Sequence, residues 1–340
     1  MGQSRRGFLA GAAAVTVGAA TLGVADRAGA SGTGASDVDD LSDRIERLFA
    51  KLPGTNGIKI VAPATRRTRR LQVAARSSEQ LFIGSAFKTF VLAEALRQAE
   101  PDVVSTIVSR QLALDESVWS PDSATFNPPN LSGIVSERTA LEAMILHSDN
   151  TGTDMSLKLV GPDNVRALIA SAGLTKTMIP DSTRSFVGYL LGAPDYLTFT
   201  WDQVVAAAND PFVNAPLNPT YSLASSADEL VSWYSRALQG EFFKGDEALQ
   251  QYRAILSIAD VIVLLPVPLG TSAFGKGGSI DAPGFHAVCA AGGMTFDEVW
   301  VYFSFTINWD NPAESDPATV GAWAGTVSKA LQLVKDALSA

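Results

Sequence analysis

The sequence predicts an α/β fold of the α+β type: an antiparallel sheet made from both ends of the chain and flanked by terminal helices, with a helical segment inserted at about residues 87–250. Three observations carry this. Val299 to Ile307 is rich in aromatic and β-branched residues and reads as the clearest strand. Leu41, Ile45, Leu48, Phe49 and Leu52 near one end, and Val320, Trp323, Val327, Leu331, Val334 and Leu338 near the other, each form one apolar helical stripe. Ile58 to Ala62 and Leu71 to Ala75 are candidate strands beside the first helix.

The chain opens on Ser4-Arg5-Arg6-Gly7-Phe8-Leu9, a twin-arginine pattern, followed by an apolar Ala/Gly-rich run to Val24 and a small-residue Ala28-Gly29-Ala30 site. Residues 1–30 therefore read as a cleaved export signal rather than a membrane span, which places the mature protein in the periplasm or outside the cell. Residues 31–40, rich in Ser, Gly and Asp, read as a flexible leader, and 41–340 as one large unit. The formal net charge of −9 argues against nucleic acid as a partner. Arg66-Arg67-Thr68-Arg69-Arg70 is a local exception and reads as a solvated hairpin loop. Val261 to Leu265 is apolar but too short to cross a bilayer, and Pro266 ends it. Cys289 is the only cysteine, so no intrachain disulfide can form.

Phe87 to Gln98 carries apolar Phe87, Val91, Leu92 and Ala95 on one helical face, with Pro101 just beyond. Ser85 thus stands at a helix start, where unpaired N–H groups and the helix dipole favour a developing oxyanion. Lys88 follows one turn later. It can serve as the serine's base if burial and a second cation lower its pKa. Ser85-Ala86-Phe87-Lys88 is the first of three short elements; Ser148-Asp149-Asn150 and Lys276-Gly277-Gly278 follow in that order. Ser, Asp and Asn also suit a capped helix start ahead of Thr153 to Val160. Lys-Gly-Gly taken alone is a common turn, preceded here by a candidate strand at Thr271 to Gly275 and followed by a hairpin partner at Phe285 to Ala290.

The order S-x-x-K, S-D-N, K-x-G resembles the active-site serine penicillin-recognising hydrolases. Leu81 to Lys88 and Met144 to Leu159 resemble the corresponding segments of class A β-lactamases, and the resemblance extends from about Leu41 to the C-terminus. It implies the β-lactamase/transpeptidase-like fold, a hydrolase acting on a cyclic amide, and an acyl-enzyme at Ser85. It implies that Lys88, Ser148 and Lys276 handle protons, with Lys276 lowering the Lys88 pKa and holding Ser148. It implies that Asn150, Gly278 and Ser279 line the substrate, Ser279 through its backbone N–H, and that Asp149 is a structural anchor. His286 is a weaker candidate for reading a substrate carboxylate, against the alternative of a half-buried strand histidine; His147 reads as a packing residue. With these two histidines alone, a His-based zinc site is excluded and a Ser-His-Asp triad disfavoured. No cofactor or metal is expected, the substrate is a small β-lactam or peptidoglycan-like acyl compound, and the protein is expected to be a monomer.

Two departures stand out. Gly277 lies where the family has Thr or Ser, whose hydroxyl contacts the β-lactam carboxylate. No Glu occurs between Glu142 and Glu229, where the family's deacylating Glu would lie; Asp181 is the favoured replacement among Asp181, Asp195, Asp202 and Asp210. Residues 188–221 form a longer region than expected, with a candidate helix at Trp201 to Ala208. A D-alanyl-D-alanine peptidase, an esterase, or a non-hydrolytic binder that acylates and stalls remain alternatives.

Overall fold

A computed structural model describes residues 35–66, 68–261 and 267–339. The expected export signal, Arg67 and Ile262 to Pro266 lie outside the described residues.

The sheet is built from both ends of the chain. From the start come α1 (Ala35–Phe49), β1 (Thr55–Ala62) and β2 (Leu71–Ala75); from the end come β7 (Ser272–Ala282), β8 (Phe285–Phe296), β9 (Val299–Trp309) and the last helix (Pro317–Ser339). These strands form a five-stranded sheet in the order β2-β1-β9-β8-β7, antiparallel throughout. The helix α1 begins at Ala35, so the expected flexible leader is partly helical. Its Leu41, Ile45 and Phe49 stripe packs on one face of the sheet with Trp323, Val327, Leu331 and Val334 of the last helix, and Phe49 stacks on Phe305 at 5.4 Å.

The opposite face carries the inserted helices. The 3-10 turn Gly84–Phe87 runs into α2 (Lys88–Ala99), which is buried on nearly every side, with Phe90 4.7 Å from Trp233. Its buried residues include polar Lys88, Thr89 and Glu94 beside the apolar ones. Around it lie α3 (Val103–Ser109), α4 (Glu137–Leu146), α5 (Asn150–Val160), α6 (Pro162–Ser171), α7 (Thr183–Leu190), α8 (Trp201–Ala206), α9 (Ala227–Ala237) and α10 (Asp246–Ser257); the last helix is α11. Two small two-stranded sheets interrupt this insertion, β3 (Leu81–Phe82) with β6 (Ala224–Ser225) and β4 (Gln111–Leu114) with β5 (Gly133–Ser136). They lie too short in the sequence for alternation to announce them. The longer region at 188–221 holds α8, shorter than expected, and packs through Tyr189, Tyr196 and Tyr221.

The expectation of a turn at Lys276-Gly277-Gly278 is corrected: all three lie inside β7, paired with Ala291, Ala290 and Cys289 of β8. The turn comes later, at Pro283-Gly284. The next hairpin, joining β8 to β9, places Asp297 and Glu298 at φ 46° and 67°. Two consecutive left-handed residues suit an Asn-Gly type I′ turn, and each side chain with a Cβ is disfavoured there. Replacing Asp297→Asn together with Glu298→Gly is expected to raise stability by about 1–2 kcal/mol. An unchanged urea midpoint would show that this turn carries no such cost.

Candidate active site

Ser85 sits in the 3-10 turn ahead of α2 and is half-exposed, while its neighbours Gly84, Ala86 and Phe87 are buried. What seats this turn is the backbone of β7. A Cβ on Gly278 would run into Ile83 O and Ser85 N and stand 2.7 Å from Ala86 N. From the other side, a Cβ on Gly84, which has φ 50°, would stand 2.7 Å from Ser279 N. Only glycine permits so close an approach at both positions. The contact brings the Ser85 and Ser279 backbones together, and β7, as an edge strand, turns alternate N–H groups away from the sheet.

Lys88 is fully buried one turn along. Its Nζ lies 2.5 Å from Ser148 O, 2.8 Å from Asn150 Oδ1 and 3.3 Å from Ser148 Oγ. Burial, and then the charge of Lys276, hold its pKa well below the ordinary lysine value, against the pull of Asp149, Asp154 and Asp122. In the neutral amine, two N–H groups suffice for the two short contacts. The lone pair is then left toward the Ser148 hydroxyl, which can donate to it.

Ser148 reaches this position through φ 57°, a left-handed conformation that aims both its carbonyl and its hydroxyl at Lys88. Asp149 anchors the next step. Its Oδ1 accepts from Gly152 N at 2.8 Å, capping α5, and its Oδ2 accepts from Thr125 N at 2.9 Å and Phe126 N at 3.0 Å. The cap and the catalytic-type arrangement therefore coexist in one tripeptide. Asn150 is buried, its Nδ2 donating to Pro121 O at 2.9 Å. An amide nitrogen has two hydrogens, so one remains for a substrate carbonyl.

Lys276 is buried on β7, and its Nζ donates to Gly277 O at 3.0 Å. Burial lowers its pKa from 10.5 to about 8, opposed by Asp260 and Cys289. The described hydrogen bonds join Ser148 to Lys88 and the Lys276 ammonium to Gly277 O, so none of them is the expected one between Lys276 and Ser148. The expectation for His286 is corrected: this histidine pairs with Asp281 at the far end of the β7–β8 hairpin, donates from Nε2 to Asn311 O at 3.0 Å, and stacks on Trp309, so both ring nitrogens are occupied inside the protein. His147, expected to pack, is exposed and meets Asp260 at 3.3 Å.

Asp181 is bound to Arg166, which also holds Asp163 at 2.7 Å, and the Asp181 N–H donates to Tyr221 Oη at 2.7 Å. The described hydrogen bonds of the Lys88 and Asn150 side chains join them to each other, to Ser148 and to Pro121 O. One buried acid whose charge acts on Lys88 was not singled out from the sequence. Asp154 lies one turn beyond Asn150 and accepts from Thr183 N at 2.6 Å, Thr183 Oγ1 at 2.7 Å and Arg184 N at 3.1 Å at the start of α7. Burial raises its pKa. Its spacing of four residues from Asn150 on one helix was the available signal.

The model of the beta-lactamase enzyme family matches residues 40–256, a stretch that contains Ser85, Lys88, Ser148 and Asn150 and ends before Lys276. The chain belongs to this family. It is a serine β-lactamase-like hydrolase. No curated protein matches it. Among solved structures it is similar to the TLA-3 extended-spectrum beta-lactamase, with TM-score 0.67 and 16% identity over 89% of this chain and 100% of that one. It is also similar to a class A beta-lactamase from Mycobacterium abscessus, with TM-score 0.64 and 16% identity over 88% of this chain and 100% of that one. A PBP-A mutant, solved as its acyl-enzyme complex with penicillin G, gives TM-score 0.62 and 16% identity over 88% of this chain and 97% of that one. At these identities the likeness is one of fold, and it agrees with the α+β architecture described above.

The buried charge of Lys276 sets a cost that can be measured. Between pH 8 and 10.5 the unfolded chain holds a proton that the folded chain releases, so stability rises with pH across that window. Below it the penalty is fully present, at roughly 3 kcal/mol. Lys276→Met is expected to be more stable than the wild type at pH 7, with the gain vanishing above about pH 10.5. Urea midpoints that fall at pH 7 on this substitution would refute the assignment.

Proposed function

We propose that Ser85 is the nucleophile of an acyl-transfer reaction on β-lactams. The observation that carries this reading is the buried Lys88, lowered in pKa and held between Ser148 and Asn150, one turn after a serine whose N–H abuts β7. Ser85 Oγ attacks the ring carbonyl while its proton passes to the Lys88 amine. The oxyanion forms beside the N–H groups of Ser85 and Ser279. Ser148 relays the proton from Lys88 to the leaving nitrogen, and Asn150 orients the acyl amide with its remaining N–H. Lys276 keeps Lys88 uncharged through its own charge.

The second step is slow in this reading, because water needs a positioned base and Asp181 is tied to Arg166. This favours a protein that accumulates its acyl-enzyme, the species in which the PBP-A mutant was solved. With penicillin G, mass spectrometry is expected to find a persistent adduct on Ser85, formed in a burst of ring opening that is stoichiometric with the protein. Ser85→Ala should give none, and Lys88→Ala should slow its formation by about 10²–10⁴. Equal adduct on Ser85→Ala, or turnover without a burst, would overturn the corresponding step.

The same reading has the mature unit, residues 41–340, act as a monomer outside the cytoplasm after twin-arginine export, supported by Ser4-Arg5-Arg6-Gly7-Phe8-Leu9. Among the described residues no helix is long and apolar enough to cross a membrane. Changing Arg5→Lys together with Arg6→Lys is expected to leave the protein in the cytoplasm. Undiminished export on cell fractionation would refute this route.

A further inference from the structure

The side-chain amide of Asn150 is held one way round. Its Oδ1 accepts from Lys88 at 2.8 Å and its Nδ2 donates to Pro121 O at 2.9 Å. Turned over, the amide would set its oxygen against the Pro121 carbonyl, two acceptors with no hydrogen between them. The Pro121 carbonyl therefore decides both the orientation of the amide and the direction of its second hydrogen.

Buried hydroxyls hold the segment that presents this carbonyl, and one of them comes from α7. Ser120, the residue before Pro121, donates its N–H to Thr151 Oγ1 at 3.0 Å, and its carbonyl accepts from Ser123 Oγ at 2.8 Å. Ser123 Oγ in turn accepts from Thr151 N at 2.7 Å, so these contacts tie the Ser120 backbone to the first turn of α5. The Ser120 hydroxyl meets Thr183 Oγ1 of α7 at 2.8 Å. The Thr183 hydroxyl donates to Asp154 Oδ1 at 2.7 Å and has Asn150 O as a longer acceptor at 3.3 Å. Its single hydrogen is thereby used, and Ser120 is the donor to it. Thr183 thus touches Asn150 at its backbone and reaches, through Ser120, the carbonyl that holds the Asn150 amide. Ser120, Asn150, Asp154 and Thr183 are all buried, where a hydrogen bond left unmade is costly.

We propose that Thr183 is a positioning residue for substrate selection: its hydroxyl, anchored on Asp154, holds Ser120 and Pro121 so that the remaining Asn150 N–H meets the carbonyl of an acylamino side chain. The protein is thereby selective for acyl donors that carry such a side chain. This rests on Ser85 being the acylated residue and on Asn150 orienting the acyl amide. Removing the Thr183 hydroxyl leaves the Ser120 O–H without its acceptor and frees Pro121 O to shift against Asn150. The contacts of Lys88 with Ser148, which serve the chemistry at Ser85, stand outside this chain of hydroxyls. The effect therefore falls on donors that use the Asn150 amide and spares those that have nothing to offer it.

The test compares penicillin G, which carries an acylamino side chain, with 6-aminopenicillanic acid, which has the same ring system and a bare amine. The adduct on Ser85 is followed by mass spectrometry, and each rate is divided by the alkaline hydrolysis rate of the same compound. The wild type is expected to favour penicillin G. Thr183→Val is close to isosteric and keeps the backbone N–H that Asp154 accepts, and it should lower the ratio of the two rates about five- to tenfold, the worth of one neutral hydrogen bond. Thr183→Ser should keep the wild-type ratio. Ser120→Ala removes the donor at the other end of the same bond and should lower the ratio in the same direction, which serves where Thr183→Val does not fold. A ratio that neither variant moves, an equal loss of both rates, or a ratio that Thr183→Ser fails to keep overturns the proposal and leaves the acyl-enzyme standing. A wild type that takes both compounds at the same corrected rate overturns it without any variant. No adduct on Ser85 from either compound would overturn the acyl-transfer reading itself, and this proposal with it.

Discussion

The backbone contact between Gly278 and the turn bearing Ser85 is the constraint on which the rest of the site depends. No side chain fits between the two segments, so the nucleophile's turn rests directly on the edge strand of the sheet. The contact couples two layers that are also joined by apolar packing, by the Lys59–Asp228 ion pair and by Gln239 donating to Tyr302 Oη. It fixes the height of α2 above the sheet, and with it the height of Lys88. Because Lys88 in turn holds Ser148 and Asn150, the position of α5 follows as well. One pair of glycines thus propagates registry from the C-terminal strands to the centre of the inserted helices.

A second constraint is electrostatic. Two lysines buried near one another are each disfavoured as cations, and the protein places Asp149, Asp154, Asp122 and Asp260 around them. Their charges act on the lysines across distance, and backbone amides hold two of them in place, Asp149 at the start of α5 and Asp154 at the start of α7. The outcome is a lysine neutral enough to accept a proton yet surrounded closely enough to stay in place. Such an arrangement sacrifices stability for a reactive amine, a trade familiar wherever a base must be buried.

The parts of this arrangement legible in the sequence were the local ones. The apolar period of α2 placed Ser85 and Lys88 correctly, and the capping character of Ser148-Asp149-Asn150 was visible because a cap is set by its own few residues. The terminal helices and β9 were legible for the same reason. Lys276-Gly277-Gly278 was misread as a turn because two glycines favour turns locally, whereas here they answer to partners far away, the Ser85 turn and Val261. His286 looked available because the sequence gives no sign that Asp281, five residues earlier, lies opposite it across a hairpin. Asp154 was within reach of helical spacing.

The sheet order β2-β1-β9-β8-β7 has a consequence for how the chain is assembled. The strands that begin and end the polypeptide are neighbours, and α1 and α11 pack on the same face, so the long insertion interrupts what is spatially a continuous meander. On the ribosome, Ser85 emerges long before Gly278, and a nascent chain cannot seat its nucleophile until the last strands are made. Contacts of such sequence separation form slowly, since loop closure precedes the gain from pairing. Joining the two ends and cutting the chain in the exposed loop between α8 and β6 would reverse this. The strands would then be read in the order β7, β8, β9, β1, β2, each pairing with the one just synthesised, and the sheet would be complete before the first residue of α2 appeared.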